Sequence, residues 1–254
     1  MKRLPRRLRP GEEATLVEHL DELRSRLIVS LVAIVAGFSV SFAFHHRLIR
    51  ALEHALPEER RHLITFGVAE PFLTSMWVSL WAGLGLALPI VLWQIWSFLA
   101  PAIEAHAQRV VAVFVAFATA LFVAGLAFGY YLALPAAVHF LTNYDESLFN
   151  IQVRAKDYIS FSILVLVAVA VVFELPVFVL ALVRLGVLST RKLRRNRRVG
   201  YAVVAAIAVA LPGVDPVTTI MEAIPLLVLY ELSIWLAVVM EKRWRTPVAA
   251  TEPS

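Results

Sequence analysis

A short stretch ahead of the first long apolar run concentrates charged side chains that could bind another charged group. It reads EHLDELRSRL over residues 18–27, and it places Glu18, Glu22 and Arg26 on one helical face at intervals of four. A carboxylate can accept two parallel hydrogen bonds from a guanidinium group, so Glu22 could bind an arginine of another chain. Alternatively, Glu22 and Arg26 form an ordinary pair within one helix, worth about 0.3–0.5 kcal/mol. The residue types alone do not decide between these readings.

Two further carboxylates interrupt apolar runs. Glu174 lies in VVFELPVF and Glu231 in VLYELSIW. A carboxylate at the centre of a bilayer costs about 2.5–3.5 kcal/mol, so such residues usually face protein or water and carry function. The alternative is that each one hydrogen-bonds a neighbouring helix and only fixes packing. Pro176 frees a backbone carbonyl beside Glu174 and can open the helix there, which makes Glu174 the main candidate within the membrane.

Other polar residues give weaker signals. Asp215 precedes Pro216 in PGVDPVTT, where it either caps a helix that starts near Val217 or serves as an external functional residue. His45 and His46 are adjacent and point to different helical faces, so no metal site is predicted. Glycine-rich phosphate loops and nucleophile motifs are missing from the sequence, which predicts neither an enzyme nor a cofactor.

The composition places these residues in a membrane protein. The chain has 254 residues, of which 60% are hydrophobic, and its mean hydropathy is +0.76. Soluble domains are about 45–50% apolar, so the excess requires an apolar solvent. The chain has no cysteine, which excludes disulfides and thiolate chemistry. The net charge of +5 comes from basic residues that flank apolar runs, which indicates topology signals and not nucleic-acid binding.

The apolar runs predict six transmembrane helices and an all-α fold. They cover residues 27–44, 73–99, 110–134, 158–183, 199–211 and 222–240. The fifth run is short: as a helix it covers roughly 20 Å, whereas the hydrocarbon core is about 30 Å thick. Turn residues follow it at once. The last two helices are therefore predicted to be short and to form a tight hairpin that thins the bilayer locally.

The basic residues predict the orientation of these helices. Of the 24 Lys and Arg residues, 18 lie before the first run, after the last run and in the 100–109 and 184–198 loops, and six lie in the alternate segments. This split predicts that both termini are cytoplasmic. Residues 1–14 are then a basic cytoplasmic tail, 15–240 the membrane domain and 241–254 a second tail. The external segments starting HHRLIRALEH and AVHFLTNYDE are predicted to form interfacial cap helices.

Several motifs together resemble one known family. EHLDELRSRL is similar to the N-terminal signature of the TatC family, the receptor subunit of the twin-arginine protein translocase. LPIVLWQIWSFLAPAI resembles the second helix and first cytoplasmic loop of that family, and VVFELPVFVLALVRLGVLS resembles its fourth helix. LRRNRRVGYAVVAAIAVALPGVDPVTTIMEAIPLLVLYE resembles its last two short helices. The resemblance covers nearly the whole chain.

The resemblance implies a site for signal peptides of folded precursor proteins. The residues it implies in this site are Glu22, Arg24, Gln94, Phe98 and Glu104. Glu104 is included because this sequence departs from the family pattern in the first cytoplasmic loop. The family usually has an acidic residue in the first cytoplasmic loop, where PAIEAHAQR has Ala107. Glu104, three residues earlier, could supply that carboxylate from a shifted position, or it is only a solvated loop residue.

The resemblance also implies partners and an energy source. TatA-like and TatB-like single-span proteins, or the translocating signal, would contact Glu174. The single-span proteins would dock at the start of the sixth helix around Thr218, Thr219 and Met221. Transport would use the proton-motive force across the cytoplasmic membrane, within a receptor complex that contains several copies of this chain. The alternative from the residues themselves is a proton-coupled transporter of small solutes that uses Glu174 and Glu231 as its relay.

Overall fold

The structure, a computed structural model, describes residues 16–99, 107–144, 148, 151–212 and 216–244. These residues form ten α-helices and, apart from one isolated bridge, no β-structure. The helices are α1 (Leu16–Ala43), α2 (His45–Glu53), α3 (Glu70–Leu99), α4 (Ala107–Phe128), α5 (Leu134–Asn143), α6 (Ala155–Phe173), α7 (Leu175–Arg184), α8 (Thr190–Arg195), α9 (Arg197–Ala210) and α10 (Pro216–Trp244). The predicted helical class is confirmed.

Five helical segments in this part of the chain are long and apolar enough to cross a membrane. They are Leu20–Ala43, Glu70–Phe98, Val111–Asn143, Ala155–Arg184 and Pro216–Glu241. Helix α9 has 14 residues, which corresponds to about 21 Å. The sixth crossing and the orientation stay predictions, and so does the interfacial placement of α2 and of the smaller cap.

Helices α1 and α3 approach each other most closely at two glycines. A Cβ atom built on Gly37 would lie 2.5 Å from the carbonyl oxygen of Gly83, and one on Gly83 would lie 2.5 Å from the backbone nitrogen of Phe38. Such distances are far below van der Waals contact, so the two backbones touch only because neither residue has a side chain. This contact fixes how the two helices are aligned along their lengths.

The third apolar run forms a longer helical segment than the run itself. Helix α4 continues through a π-helical turn at Gly129–Ala133 into α5, which ends at Asn143. Pro135 explains the turn, because it has no N–H to donate to the carbonyl of Tyr131 and the ladder must shift by one residue. Gly125 lies against α6, where a Cβ atom would approach Ala170 Cα to 2.8 Å.

The apolar core is centred on α6 and α10. Ile159, Val165 and Val169 of α6 are fully buried, as are Leu226 and Ile234 of α10. Helix α10 packs against α7 and α9, and α6 packs against α4 and α3. By contrast, α1 contacts mainly α3, and most of its apolar side chains are exposed on the outer surface, as expected for a helix that faces lipid on most sides.

Helix α2 is held on the end of the molecule that lies away from the start of α1. The Tyr130 hydroxyl donates to the carbonyl of Ala51 at 2.8 Å, and the Tyr158 hydroxyl donates to that of Leu52 at 2.6 Å. Both carbonyls belong to the last turn of α2, where a helix leaves carbonyls without internal donors, and the Leu52 carbonyl also accepts from the Ala55 backbone N–H at 3.2 Å. Two tyrosines from separate helical segments therefore satisfy and anchor this helix end.

Candidate functional site

The predicted charged site at the start of α1 forms a three-residue cluster. Arg26 donates through Nε to Glu22 Oε1 at 3.0 Å and through Nη2 to the same oxygen at 2.5 Å. Its Nη1 lies 3.5 Å from Gln94 Oε1 on α3. The side chains of Arg26 and Glu22 remain 23% and 33% exposed. The cluster is thus a half-buried carboxylate whose guanidinium partner also reaches the neighbouring helix.

The glycine contact between α1 and α3 explains why these residues meet. Arg26 lies eleven residues before Gly37, and Gln94 lies eleven residues after Gly83. Since the two helices are antiparallel and touch at these glycines, equal distances along both bring Arg26 and Gln94 to the same level. The sequence signature on α1 and the amide on α3 are therefore parts of one site, which spacing within α1 could not reveal.

Of the other residues implied by the resemblance, the structure describes Arg24 and Phe98 but not Glu104. Arg24 is exposed on α1, two residues after Glu22 and therefore on a different face of the helix. Phe98 is half-buried on α3, one helical turn after Gln94, so it extends the same face with an aromatic surface. Glu104 lies outside the described residues, and its approach to Glu22 stays a prediction.

Glu174 sits at a break between two helices inside the membrane. Helix α6 ends at Phe173 and α7 begins at Leu175, as the presence of Pro176 predicts. The Glu174 side chain is 9% exposed, and its Oε1 makes no hydrogen bond within the described residues. A buried carboxylate oxygen without a hydrogen bond costs free energy, and the contact of Glu174 with a partner stays a prediction.

Glu231 has a different environment, because it is fully engaged. The Tyr201 hydroxyl donates to Glu231 Oε1 at 2.5 Å, and Arg197 Nη2 lies 3.4 Å from Oε2. Both partners belong to α9, so the carboxylate ties together the two helices of the final hairpin. These contacts support the packing alternative for Glu231.

The start of α10 carries the polar residues that the resemblance implies for partner contact. Thr218 is buried, whereas Thr219 and Met221 are half-buried. Glu222, which the sequence reading did not select, is also buried, one turn after Thr218. Asp215 lies outside the described residues, and its capping role stays a prediction.

An ion pair at the α2 end of the molecule was not predicted. Arg154 Nε donates to Glu70 Oε1 at 2.9 Å and Arg154 Nη2 to Oε2 at 3.0 Å. The Phe66 backbone N–H also donates to Glu70 Oε2 at 3.2 Å, and the Arg154 guanidinium lies over the Phe66 ring. The hydrogen bonds with Glu70 raise the pKa of Arg154. The only sequence signal was two charges bordering apolar runs, which gives no pairing.

Comparisons with known proteins agree on one family. The family model described as Sec-independent protein translocase protein (TatC) matches residues 18–225. The chain is 35% identical over 224 residues to the Sec-independent protein translocase protein TatC of Carboxydothermus hydrogenoformans, covering 88% of this chain and 92% of that protein. It is 36% identical over 233 residues to TatC of Deinococcus radiodurans, covering 88% and 86%.

A solved structure gives the same result. A crystal structure of the twin-arginine translocase receptor TatC superposes with a TM-score of 0.71 at 32% identity, over 87% of this chain and 98% of that one. A second crystal structure of that receptor, in DDM, gives a TM-score of 0.73.

These helices, with charged groups on α1 and inside the apolar segments, define a polytopic helical membrane protein. The extent of the family match and the identities above show more: the chain belongs to the TatC family. It is a component of the Sec-independent, twin-arginine protein translocase and belongs to no known enzyme family. This confirms the resemblance and implies association with the membrane and with other Tat proteins.

Proposed function

We propose that this chain is the subunit that binds twin-arginine signal peptides of folded precursor proteins at the Glu22 end of α1. One observation carries the proposal: the Glu22 carboxylate accepts two hydrogen bonds from a single guanidinium, that of Arg26. A guanidinium group can therefore be held at this carboxylate. Arginine is a planar, permanently charged donor, and lysine cannot reproduce its fork.

The surroundings of Glu22 suit the rest of a signal peptide. Gln94 offers a neutral polar group beside the carboxylate, and Phe98 continues the same face of α3 toward the first cytoplasmic loop. The apolar part of a signal would then lie along the exposed apolar surface of α1 or α3 within the bilayer. Glu104 is the candidate acceptor for the second arginine.

Glu174 and the start of α10 are proposed as contact sites for single-span partners of the TatA and TatB kind. A buried carboxylate with an unbonded oxygen and a helix start with Thr218, Thr219 and Met221 offer polar groups that a partner helix can satisfy within the membrane. Transport of the folded cargo is proposed to use the proton-motive force, with several copies of the chain in one receptor complex in the cytoplasmic membrane.

The alternative of a proton-coupled transporter receives less support from the geometry. A relay requires carboxylates that gain and lose protons along a path. Glu231 is instead bound by Arg197 and Tyr201 of α9, which fits a structural tie between the two helices of the final hairpin. Transport of a small solute by this chain alone in liposomes would favour the alternative.

The test of the proposal measures peptide binding by variants of Glu22. Glu22→Ala removes a hydrogen-bonded charge worth about 1.5–3 kcal/mol, so we expect a roughly 10- to 100-fold loss of affinity for a twin-arginine peptide. Glu22→Arg should abolish binding and export. A photocrosslinker at residue 22 should attach to the signal near its arginines. Normal export by Glu22→Arg would refute the assignment.

The role of Glu104 needs a separate comparison. If Glu104 accepts the second arginine, Glu104→Ala should weaken peptide binding, and the double variant with Glu22→Ala should bind no better than background. The matched control is Glu59→Ala, which removes an exposed carboxylate from the α2 end of the molecule. Unchanged affinity in Glu104→Ala would leave Glu22 as the acceptor and remove Glu104 from the site.

A further inference from the structure

An apolar groove lies between α4 on one side and the helices α7 and α10 on the other. Its volume is about 170 Å³, and the side chains that line it are Val113, Phe114, Phe117, Leu180, Leu236 and Met240. Phe114 and Leu180 are buried, whereas Val113 is 58% exposed, so the groove is accessible from outside the molecule. We call it the α4–α7–α10 groove.

The packing of the helices explains why this groove exists. Helix α4 packs closely on α6 and hardly on α7, while α7 packs closely on α10. Leu180 lies one turn before the end of α7, and Met240 lies one turn before the end of α10. In the predicted orientation these are cytoplasmic ends, so the groove lies at the depth of acyl chains in the cytoplasmic leaflet.

The lining determines what kind of group can fill the groove. An apolar cavity offers water no hydrogen-bond partner, and a comparable cavity of about 150 Å³ in another protein stays dry and takes up benzene. The α4–α7–α10 groove therefore favours a hydrocarbon group over water.

Exposed basic residues lie beside the cytoplasmic end of the groove. The Thr190 hydroxyl donates to Glu241, the residue after Met240. Leu193 of α8 packs against the apolar cluster that contains Leu180. These two contacts hold α8 next to the ends of α7 and α10. Its exposed residues are Arg191, Lys192, Arg194 and Arg195, and their charge outweighs that of Glu241.

We propose that the α4–α7–α10 groove and the basic residues of α8 together bind an acidic phospholipid of the cytoplasmic leaflet. One acyl chain fills the groove, and the phosphate lies against α8. Basic sites between transmembrane helices on the cytoplasmic side are suited to acidic headgroups. The same charges disfavour a twin-arginine signal as the occupant, because they repel its arginines while they attract a phosphate.

This site is independent of the proposed signal site. It uses neither Glu22 nor Glu174, and its lining belongs to helices other than α1 and α3. It also gives the α8 loop a role beyond topology, since a topology signal requires positive charge near the helix ends but no groove beside it.

The experiment measures lipid binding to the purified full-length chain by native mass spectrometry. The probes are phosphatidylglycerol and phosphatidylcholine with identical acyl chains, which differ in net charge. The native chain should bind phosphatidylglycerol more tightly. In the double variant Arg191→Gln with Lys192→Gln, the affinity for phosphatidylglycerol should fall roughly 10- to 30-fold and that for phosphatidylcholine should change little. The matched control, Arg47→Gln with Arg50→Gln, removes two exposed charges from α2 and should keep the native preference.

A second pair of variants tests the groove itself. Val113→Phe places a larger side chain in the groove, so both lipids should bind about tenfold more weakly, because roughly two methylene groups lose their place. Val123→Phe is the control, since Val123 is 57% exposed on the same helix and does not line the groove. Thermal unfolding in detergent should show that both variants fold.

Each outcome supports or overturns the proposal. Equal affinities of the native chain for the two lipids, or an unchanged preference in the double variant of α8, would refute the headgroup site. Equal effects of Val113→Phe and Val123→Phe would show that the acyl chain lies elsewhere. If a twin-arginine peptide displaces phosphatidylglycerol and Val113→Phe weakens the peptide as well, the groove holds the signal and not a lipid. Glu22→Ala should leave lipid binding unchanged even where it abolishes peptide binding.

Discussion

At the scale of single residues, three carboxylates illustrate how environment separates side chains of one type. Glu22 is half-buried and bound by a guanidinium of its own helix, while Glu231 is bound by Tyr201 and Arg197 of the neighbouring helix. Glu174 is buried beside a helix break with an unbonded oxygen. The first is paired within its own helix, the second ties two helices together, and the third has one oxygen without a hydrogen bond within the described chain.

The unbonded oxygen of Glu174 predicts that removing the charge of this residue maintains or raises the stability of the protein but lowers transport. Glu174→Gln keeps the shape of the side chain and removes its charge, so the free energy of unfolding in detergent should stay equal or rise by about 1 kcal/mol. Export should fall, because the charge serves a partner or a signal. Thermal unfolding of the purified protein and export in cells measure the two quantities.

The matched control for Glu174 is Glu231, an intramembrane carboxylate that is bound by two side chains of α9. Glu231→Gln removes a charge that Arg197 faces, so it should lower the stability and leave signal binding intact. If Glu174→Gln exports cargo at the native rate, the buried carboxylate serves packing alone, contrary to the proposal.

The spacing of residues in the sequence predicted part of the charged cluster at Glu22. The interval of four residues between Glu22 and Arg26 predicted that they could pair, and the structure contains that pair. The participation of Gln94 could not be predicted from spacing, because it depends on a contact between residues far apart in the chain. The pairing of Glu231 with α9 could not be predicted either. Periodicity assigns a residue to one face of its helix, but it does not show which other helix packs against that face.

At the scale of helices, the contact between α1 and α3 sets the geometry of the site. Gly37 and Gly83 bring the two backbones together, and every residue further along is aligned by that contact. This contact is hard to predict from the sequence, because isolated glycines are common in transmembrane helices even where they have no packing role. Pro176 and Pro135 are easier to interpret, since a missing N–H has a local consequence in any surroundings.

A pair of glycine substitutions tests this alignment. In Gly83→Ala the new Cβ atom would lie 2.5 Å from the Phe38 nitrogen, so the helices must separate, at a cost of about 1–3 kcal/mol. Gly85→Ala is the control, because its Cβ atom would lie 3.6 Å from Phe122 Cε1, an ordinary contact. Both changes alter helix propensity equally. Unfolding in detergent should separate them, and equal stabilities would contradict the close crossing.

The ion pair between Glu70 and Arg154 ties the first residue of α3 to the residue just before α6. Two side-chain hydrogen bonds form the pair, and the backbone of Arg154 also forms an isolated parallel β-bridge with Ile64. Because both partners border apolar segments, the pair fixes how two spans begin relative to each other. Neither composition nor periodicity predicts such a link.

Substitutions of this pair should follow a charge-swap pattern. Glu70→Gln and Arg154→Gln should each lower the melting temperature in detergent, since each leaves one charged partner without its two hydrogen bonds. Exchanging the two residues, Glu70→Arg with Arg154→Glu, should recover part of the loss. Glu58→Gln weakens the more exposed pair with Arg61 and should change little. Failure of the swap to recover any stability would show that the geometry, and not the charge pairing, matters.

At the scale of the whole molecule, the sequence predicted the class and most helices because apolar length is a property of each segment by itself. Long runs became long helices, and the break at Glu174 appeared where Pro176 indicates it. The third segment exceeds its run, ending at Asn143 and not near residue 134, because α5 continues the helix beyond the point where hydropathy alone marks an end. Packing partners and the α2 anchors required the folded chain, since they join segments distant in sequence.

The final prediction concerns how many times the chain crosses the membrane and on which side each loop lies. The chain contains no cysteine, so single cysteines can be labelled without any background. With six crossings and cytoplasmic termini, Arg194→Cys should react with a membrane-impermeant maleimide only after the cytoplasmic face is opened. Glu59→Cys and Val217→Cys should react from outside in intact cells. All three positions are exposed, which keeps folding unaffected. If α9, with its 14 residues, dips into the membrane without crossing it, Val217→Cys will label on the same side as Arg194→Cys, and the six-helix topology will be wrong.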